Sequence, residues 1–166
     1  MDYNSKNLEG WAISIPVFEW IYNNVLHGST ILELGSGNGT KELCKYYKVF
    51  SIEEDQKWAK HSPSKCFFAP ILDSSCKINH SSGWYDRSVL NKIPPKYDLL
   101  IIDGPVGNNR LNFMHYHKHF YMDCPIIVDD LHKGASFVKM AEDLANIYNK
   151  KIIKLGGIEK ESAVLI

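Results

Sequence analysis

The sequence predicts an α/β protein with a doubly wound, mostly parallel sheet of seven strands and an antiparallel hairpin at its C-terminal end. Short apolar runs alternate with amphipathic stretches, as expected for repeated βαβ units. The runs "LLII" at 99–102 and "PIIV" at 125–128 are apolar without alternation, which is typical of parallel strands buried on both faces. Only the short segment 156–161 separates the last two runs, which favours a hairpin over a helical crossover.

The individual elements follow from periodicity and from turn residues. Residues 1–10 are polar, and we expect them to be flexible. Segment 14–29 has apolar residues at helical spacing, with Ser14 as a candidate N-cap and Gly28 beyond the helix end. The predicted strands are short apolar runs, at 30–35, 49–54, 65–71, 97–103, 125–130, 151–156 and 162–166. Further helices are predicted between these strands, at 39–48, 55–62, 85–93, 110–121 and 137–150.

Length and composition indicate a single globular domain over residues 1–166, of which 45% are hydrophobic. The chain carries 19 basic and 19 acidic residues, and neither sign forms a long block, which argues against a nucleic acid partner. No apolar stretch approaches the roughly 20 residues that span a bilayer. The four cysteines form no C-x-x-C pair, and the N-terminus lacks the order of a signal peptide. We therefore expect a cytoplasmic protein with reduced thiols.

Three glycines in "ELGSGNGT" follow the first predicted strand, where an α/β fold binds ligands beyond the carboxyl ends of its strands. Glu53 ends the second predicted strand, where an acidic side chain can accept both hydroxyls of a ribose. Glycines can also simply make a tight turn, but the acidic strand end favours a nucleoside ligand. The spacing Gly35-x-Gly37-x-Gly39 differs from the G-x-G-x-x-G pattern of dinucleotide sites.

This pattern of E-x-G-x-G-x-G followed by an acidic second strand resembles the class I S-adenosylmethionine-dependent methyltransferases, which have a Rossmann-like fold. The resemblance continues through "YDLLIIDG" and "IIVDD" to the terminal hairpin, over about residues 14–166. It implies an enzyme that binds S-adenosylmethionine.

The resemblance also implies a role for each residue of the expected cofactor site. Glu33 and the backbone of Gly35 to Gly37 would hold the methionine end, and Ser36 or Thr40 would offer a hydroxyl. Glu53 would bind the ribose, and Asp103 would contact the cofactor beside the methyl group. Glu54 would lie near the adenine, although Glu54 and Asp55 could equally be a solvated helix start.

A second constellation consists of Asp103 after the fourth predicted strand and of Asp129 and Asp130 after the fifth. Their carboxylates should meet at the edge of the sheet that carries the glycine turn. An all-oxygen ligand set suits Mg²⁺, and the arrangement resembles metal-dependent small-molecule O-methyltransferases of the catechol type. In the alternative without metal, Asp130 caps the next helix and Asp129 bonds to backbone.

The segments "GWYD", "DGPVGNNR" and "DDLHK" also resemble methyltransferases that act on sugars and cell-wall polysaccharides. In that interpretation Asp103 or Asp130 orients or deprotonates a hydroxyl, and His132 is a nearby base or hydrogen-bonding partner. Further residues would line the acceptor groove, namely Arg110, Trp84 and Tyr85, although Tyr85 and Trp84 could simply fill a packing gap.

The expected function is therefore O-methylation of a sugar, polysaccharide or other hydroxylated acceptor, with S-adenosylmethionine as methyl donor. Two alternatives stay open, namely a methyltransferase for a protein or another small molecule and a catalytically silent cofactor-binding module. The expected site is open, which suits a sugar chain or a partner subunit, and a homodimer is compatible with it. His115 and His119 share a helix face at i, i+4, but no third ligand is placed to complete a zinc site.

Overall fold

The computed structural model describes residues 13–73, 81–156 and 160–166, so the expectation of a flexible segment 1–10 lies outside the described residues. The strands are β1 Thr30–Leu34, β2 Lys48–Glu53, β3 Lys65–Phe68, β4 Ile71–Asp73, β5 Gly83–Tyr85, β6 Leu99–Ile102, β7 Ile126–Val128, β8 Ile152–Gly156 and β9 Glu161–Leu165. The α-helices are α1 Ile15–Asn24, α2 Asn38–Leu43, α3 Gln56–His61, α4 Phe113–Tyr116 and α5 Ala135–Ile147. Short 3₁₀ helices cover Arg87–Asn91, Gly107–Asn112, His117–His119 and Leu131–Lys133.

Seven strands form one sheet in the order β3-β2-β1-β6-β7-β9-β8. The first five strands of that order run parallel, whereas β9 is antiparallel to both β7 and β8. The predicted fold class is confirmed, including the terminal hairpin. The chain winds outward from β1 through β2 to β3 and then returns to place β6 on the other side of β1. This reversal opens a crevice at the carboxyl ends of β1 and β6.

Both faces of the sheet are buried, which explains the apolar runs without alternation. Ile31, Leu99 and Ile101 pack on one face with residues of α1, whereas Leu100 and Ile102 pack on the other face with residues of α5. Because successive side chains of a strand point to opposite faces, a strand covered on both sides needs apolar residues at every position. Among the described helices, none is long and apolar enough to cross a membrane.

The structure differs from the predicted elements between the third and fifth strands of the main sheet. The predicted strand 65–71 ends at Phe68, and Ile71–Asp73 instead pairs with Gly83–Tyr85 in a separate antiparallel ribbon. The predicted helix 85–93 is a 3₁₀ helix over Arg87–Asn91. The predicted helix 110–121 is broken into a 3₁₀ helix, the four residues of α4 and another 3₁₀ helix. Helical segments this short contain too few residues for the spacing of apolar residues to distinguish a 3₁₀ helix from an α-helix.

Candidate active site

A cavity of about 670 Å³ lies at the carboxyl ends of β1, β2, β6 and β7. Each strand end contributes part of its wall, and Lys160 between β8 and β9 completes it. The lining comprises the glycine turn Gly35–Gly37, the acidic segment Glu53–Asp55 with Trp58, the group Asp103, Gly104, Val106 and Arg110, and the group Asp130, His132 and Lys133. The fold thus brings residues of both predicted constellations to one cavity.

The turn after β1 packs directly against the turn after β6. Gly35 has a φ of +89°, and a Cβ at this position would lie 3.2 Å from the backbone nitrogen of Gly104. A Cβ on Gly104 would lie 2.7 Å from the Gly35 nitrogen and 2.4 Å from the Tyr85 hydroxyl. Both positions therefore require glycine, because the two backbones meet at van der Waals distance. The sequence pattern identified Gly35 and passed over Gly104, whose only signal is the "DGP" after the strand.

Glu33 and Thr40 lie behind the glycine turn and do not line the cavity. The Thr40 hydroxyl donates to Glu33 Oε2 at 2.9 Å and accepts from the Gly37 backbone N–H at 3.0 Å. Ser51 donates a second hydrogen bond to Glu33 Oε2, at 2.8 Å. Burial raises the pKa of Glu33 to about 8, although these two hydroxyl donors oppose the rise. The contacts make Glu33 and Thr40 the support of the turn.

Serine hydroxyls extend this support back to the cavity wall. Ser36, which lines the cavity, donates to Ser62 at 2.6 Å, and Ser62 and Ser64 are 2.9 Å apart. The Ser64 and Ser51 hydroxyls are 2.8 Å apart, and Ser51 reaches Glu33. Sequence reasoning missed Ser51, Ser62 and Ser64, because they come from β2 and from the segment after α3 and share no spacing motif.

Glu53 lies at the end of β2 with both carboxylate oxygens facing backbone donors. The Ser36 N–H donates to Oε2 at 2.7 Å and the Asp55 N–H donates to Oε1 at 2.8 Å. Burial raises the pKa of Glu53 to about 7, against the lowering effect of these hydrogen bonds. Each carboxylate oxygen can accept a further hydrogen bond, so Glu53 can hold the turn and still accept from a ligand hydroxyl.

The two acidic residues that follow Glu53 make different contacts. Glu54 Oε1 accepts from the Val106 N–H at 2.7 Å, which ties the loop after β6 to the end of β2. Asp55 Oδ1 accepts from the N–H groups of Lys57 and Trp58 at 2.7 and 3.1 Å, as an N-cap of α3 does. Asp55 therefore marks the start of a helix, as the alternative interpretation of the sequence predicted. Glu54 instead connects two walls of the cavity.

Asp103, Asp129 and Asp130 form a carboxylate cluster in which one oxygen from each residue lies within 4.8 Å of the others. Arg110 enters this cluster from a 3₁₀ helix. Its Nη1 donates to Asp130 Oδ2 at 2.8 Å, and its Nη2 donates to Asp103 Oδ1 at 3.1 Å. The same guanidinium donates to the backbone carbonyl oxygens of Asp103 and Asp129. One buried arginine thus joins the ends of β6 and β7.

Two lysines add to the charge balance of the carboxylate cluster. Lys133 Nζ lies 2.5 Å from Asp130 Oδ2, and Lys160 Nζ lies 3.5 Å from Asp129 Oδ2. Asp129 is fully buried, and its Oδ1 accepts a hydrogen bond from the Ser162 hydroxyl. Within the described part of the chain, an arginine and two lysines therefore face three carboxylates.

Solved structures with the same architecture are numerous. The O-methyltransferase TomG from Streptomyces achromogenes, determined in complex with S-adenosylmethionine, is 12% identical with a TM-score of 0.59, over 98% of this chain and 84% of TomG. The ribosomal protein L11 methylase from Lactobacillus delbrueckii subsp. bulgaricus is 12% identical with a TM-score of 0.57, over 90% of this chain and 75% of the methylase. A putative caffeoyl-CoA O-methyltransferase from Staphylococcus aureus is 13% identical with a TM-score of 0.56, over 90% and 80%.

The chain has the fold of the class I S-adenosylmethionine-dependent methyltransferases. No protein-family model matches the sequence, and no curated protein sequence is significantly similar to it. The predicted resemblance is confirmed at the level of the fold. At these low sequence identities the comparisons do not identify the methyl acceptor.

In this methyltransferase fold a guanidinium lies between the carboxylates at which the sequence predicted a divalent cation. Arg110 occupies one oxygen of Asp103 and one of Asp130, and Asp129 is enclosed behind Ser162 and Lys160. A Mg²⁺ ion needs near-octahedral oxygen ligands and tolerates no ammonium or guanidinium group among them. Asp103 Oδ1 and Asp130 Oδ2 are therefore already bonded to protein cations, whereas Asp129 Oδ2 is buried without a hydrogen-bond partner among the described residues.

The pKa values of Asp103 and Asp130, the aspartates of the carboxylate cluster that line the cavity, move in opposite directions in this methyltransferase fold. Burial and the charge of Asp129 raise the pKa of Asp103, against the effect of Arg110. Burial also raises the pKa of Asp130, but Arg110 and Lys133 outweigh it, so that its pKa lies below the ordinary value. Asp103 is consequently the more basic of the two carboxylates.

Asp130 and His132 lie on the same side of the cavity in this methyltransferase fold. Asp130 has a left-handed φ of 65° and makes no side-chain hydrogen bond to the start of the 3₁₀ helix that follows, so the alternative in which its side chain caps that helix is wrong. His132 Nε2 is 3.9 Å from Asp130 Oδ1, and His132 Nδ1 accepts from the Glu161 N–H at 3.4 Å. The accepting Nδ1 places the ring proton of a neutral His132 on Nε2.

Trp84 and Tyr85 are each only 2% exposed, and neither lines the cavity. Trp84 stacks on Tyr116 at a centroid distance of 5.2 Å, so the expectation that it lines an acceptor groove is wrong. Arg110 lines the cavity, but its guanidinium is directed into the carboxylate cluster. Trp84 and Tyr85 therefore fill space in the core, as the alternative interpretation of the sequence predicted.

His115 and His119 do not lie on one continuous helix. Both are exposed, and the chain changes from α4 to a 3₁₀ helix at His117. The i, i+4 geometry on which a zinc pair depends is therefore lost.

Proposed function

We propose that residues 1–166 form one methyltransferase domain that transfers a methyl group from S-adenosylmethionine to a hydroxyl oxygen of a sugar, polysaccharide or other hydroxylated acceptor. One observation carries this proposal: the glycine turn, Glu53, Asp103 and Asp130 line a single cavity at the carboxyl ends of parallel strands. TomG, which has the same fold, was determined with S-adenosylmethionine, and this supports the cofactor.

S-adenosylmethionine, when bound, supplies a methyl group that is already activated by its sulfonium. The protein then has to hold the nucleophile in line and accept its proton, a positioning effect that can supply up to about 7–11 kcal/mol of the barrier. In our proposal Glu53 and the backbone of Gly35 to Gly37 bind the cofactor. Glu33 and Thr40 keep that turn in place without touching the ligand, and Glu54 borders the adenine region.

The acceptor side of the cavity supplies the base. We assign proton removal to Asp103, because its pKa is raised and one of its oxygens is not bonded to Arg110. With S-adenosylmethionine bound, the acceptor oxygen would bond to the methyl carbon as the carbon–sulfur bond breaks, and the Asp103 carboxylate would take the hydroxyl proton. Asp130 and His132 would orient the acceptor hydroxyl, since Asp130 is held as an ionised group by Arg110 and Lys133.

Calorimetry with S-adenosylmethionine and S-adenosylhomocysteine tests the cofactor, and release of S-adenosylhomocysteine in the presence of sugars, oligosaccharides and phenols tests the acceptor. We expect binding of both ligands and turnover on a hydroxylated acceptor that Asp103→Asn reduces by about 10²–10⁴-fold, the usual contribution of a general base. The exposed pair on α5 offers the control Asp143→Asn, which should be silent. Turnover on a protein substrate alone, or binding with no turnover on any acceptor, would contradict the proposal.

A further inference from the structure

We propose that Arg110 is the built-in counter-cation of the carboxylate cluster, so that this site works without a divalent metal ion. The role of Arg110 in the reaction rests on the proposed function, whereas its occupation of the cation position does not. The carboxylates resemble a metal-ligand set in the sequence, and the structure places a protein cation among them.

The guanidinium lies between the two strand ends where a bridging cation would be needed. Its two terminal nitrogens each donate to a different carboxylate, Nη1 to Asp130 at 2.8 Å and Nη2 to Asp103 at 3.1 Å. Nη1 also donates to the backbone carbonyl of Asp129, at 3.2 Å. A planar fork of N–H donors can satisfy two carboxylates at once, which an ammonium group cannot do with the same geometry.

Arg110 is also fixed in this position. Its side chain is 3% exposed, and its guanidinium carbon lies 5.8 Å from the centre of the Phe137 ring. An arginine remains charged at every physiological pH, so the compensation of the two aspartates is permanent. A metal ion that took its place would leave a buried guanidinium without a carboxylate partner, and breaking a buried ion pair in this way is strongly destabilising.

The charge balance points the same way. Lys133 pairs with Asp130 and Lys160 faces Asp129, so with Arg110 the cations among the described residues of the cluster equal its carboxylates in number. A divalent ion would bring two positive charges into a cluster that is already balanced. Arg110 is accordingly a positioning residue: it holds Asp103 and Asp130 toward the cavity and does not itself react.

Metal titration of the wild-type chain is the first test, because its melting-temperature measurement needs no acceptor and no cofactor. Melting temperatures are measured with Mg²⁺, Mn²⁺ or Ca²⁺ and with EDTA, at matched ionic strength. We expect no difference among these conditions and no change in S-adenosylmethionine affinity or turnover with EDTA. A metal-induced rise in the wild-type melting temperature that Asp130→Asn abolishes would overturn the proposal.

Replacement of Arg110 is the second test. Arg110→Gln removes the charge and leaves a shorter, polar side chain, and we expect a lower melting temperature that Mn²⁺ or Ca²⁺ partly restores, because the carboxylates are then free to bind metal. Arg110→Lys keeps the charge and should gain no such metal response. Lys139→Gln, which removes an exposed lysine paired with Asp143 at 2.9 Å, is the matched control and should behave as wild type.

Distinct outcomes separate this inference from the proposed function. An Arg110→Gln variant with wild-type stability in EDTA and no response to metal would show that the carboxylates need no counter-cation, and the inference would fail. If Arg110→Gln does not fold, the wild-type titration and the Arg110→Lys variant still decide it. Failure of the wild-type chain to bind S-adenosylmethionine would instead remove the proposed function and leave the metal result standing.

Discussion

The Ser36 backbone N–H donates a 2.7 Å hydrogen bond to Glu53 Oε2, which ties the glycine turn after β1 to the end of β2. The position of the glycine turn therefore depends on the side chain at the end of β2. A ligand that bonds to Glu53 also contacts a residue that holds the turn, so a substitution at Glu53 should affect the ligand both directly and through Ser36.

Glu53→Ala should weaken S-adenosylmethionine binding by about 1.5–3 kcal/mol, the range for hydrogen bonds to a charged group. Glu53→Gln should weaken it less, because the amide oxygen can still accept from Ser36. Calorimetry measures both affinities, with the exposed Glu142→Gln on α5 as the control. Unchanged affinity in Glu53→Ala would remove Glu53 from the ligand site.

Gly37→Val should abolish cofactor binding and leave a folded protein. Gly37 has an extended backbone with a φ of −147°, which any residue adopts, so the added side chain meets the ligand and causes no backbone strain. Gly35→Val should instead lower the melting temperature as well, because of the φ of +89° and the contact with Gly104. Thermal melting and calorimetry on the two variants separate the effect on stability from the effect on binding. Tight cofactor binding by folded Gly37→Val would rule out the proposed role of the turn in binding the cofactor.

Glu33→Gln should be more stable than wild type, and the difference should grow with pH. Burial raises the pKa of Glu33 from 4.5 to about 8 in the folded state, so the folded chain holds a proton that the unfolded chain releases. The stability contributed by this proton is fully present below pH 4.5 and is lost as the pH rises to about 8. A tenfold difference in proton affinity between the folded and unfolded states corresponds to about 1.4 kcal/mol in the free energy of unfolding.

Urea unfolding of both proteins across this pH range measures the effect. The glutamine side chain of the Glu33→Gln variant would retain an oxygen that accepts from Thr40 and Ser51, so the two proteins should be nearly equally stable at the acid end. A stability difference that is constant with pH would show that Glu33 does not titrate in this range.

Tyr85→Phe should stabilise the protein by about 1 kcal/mol or more, since a buried polar group without a hydrogen bond costs about 1–3 kcal/mol. The Tyr85 hydroxyl is buried, and it has no hydrogen-bond partner among the described residues. Thermal or urea unfolding measures the change. Tyr47→Phe serves as a comparison, because the Tyr47 hydroxyl donates to the Ile21 carbonyl and its loss should destabilise the protein. A destabilised Tyr85→Phe would indicate that this hydroxyl has a partner.

Local sequence patterns were sufficient to predict the strands of the main sheet. The alternation of apolar runs with amphipathic segments, and the brevity of 156–161, determine strand type and the terminal hairpin, because burial on both faces imposes a composition that is visible within a few residues. The same reasoning failed for the ribbon of β4 and β5, since three-residue strands carry too few positions to show a period.

The residues of the candidate site were also partly visible in the sequence. Glycines after β1 and acidic residues after β2, β6 and β7 mark strand ends, and parallel strands carry their carboxyl ends to one edge, so the sequence alone brings Glu53, Asp103 and Asp130 together. Side-chain direction was not determined in this way. Only the tertiary structure turned Trp84 into the core, placed Glu33 behind the turn and directed Arg110 between two aspartates. These choices depend on contacts between segments far apart in the chain, whose energies no local pattern contains.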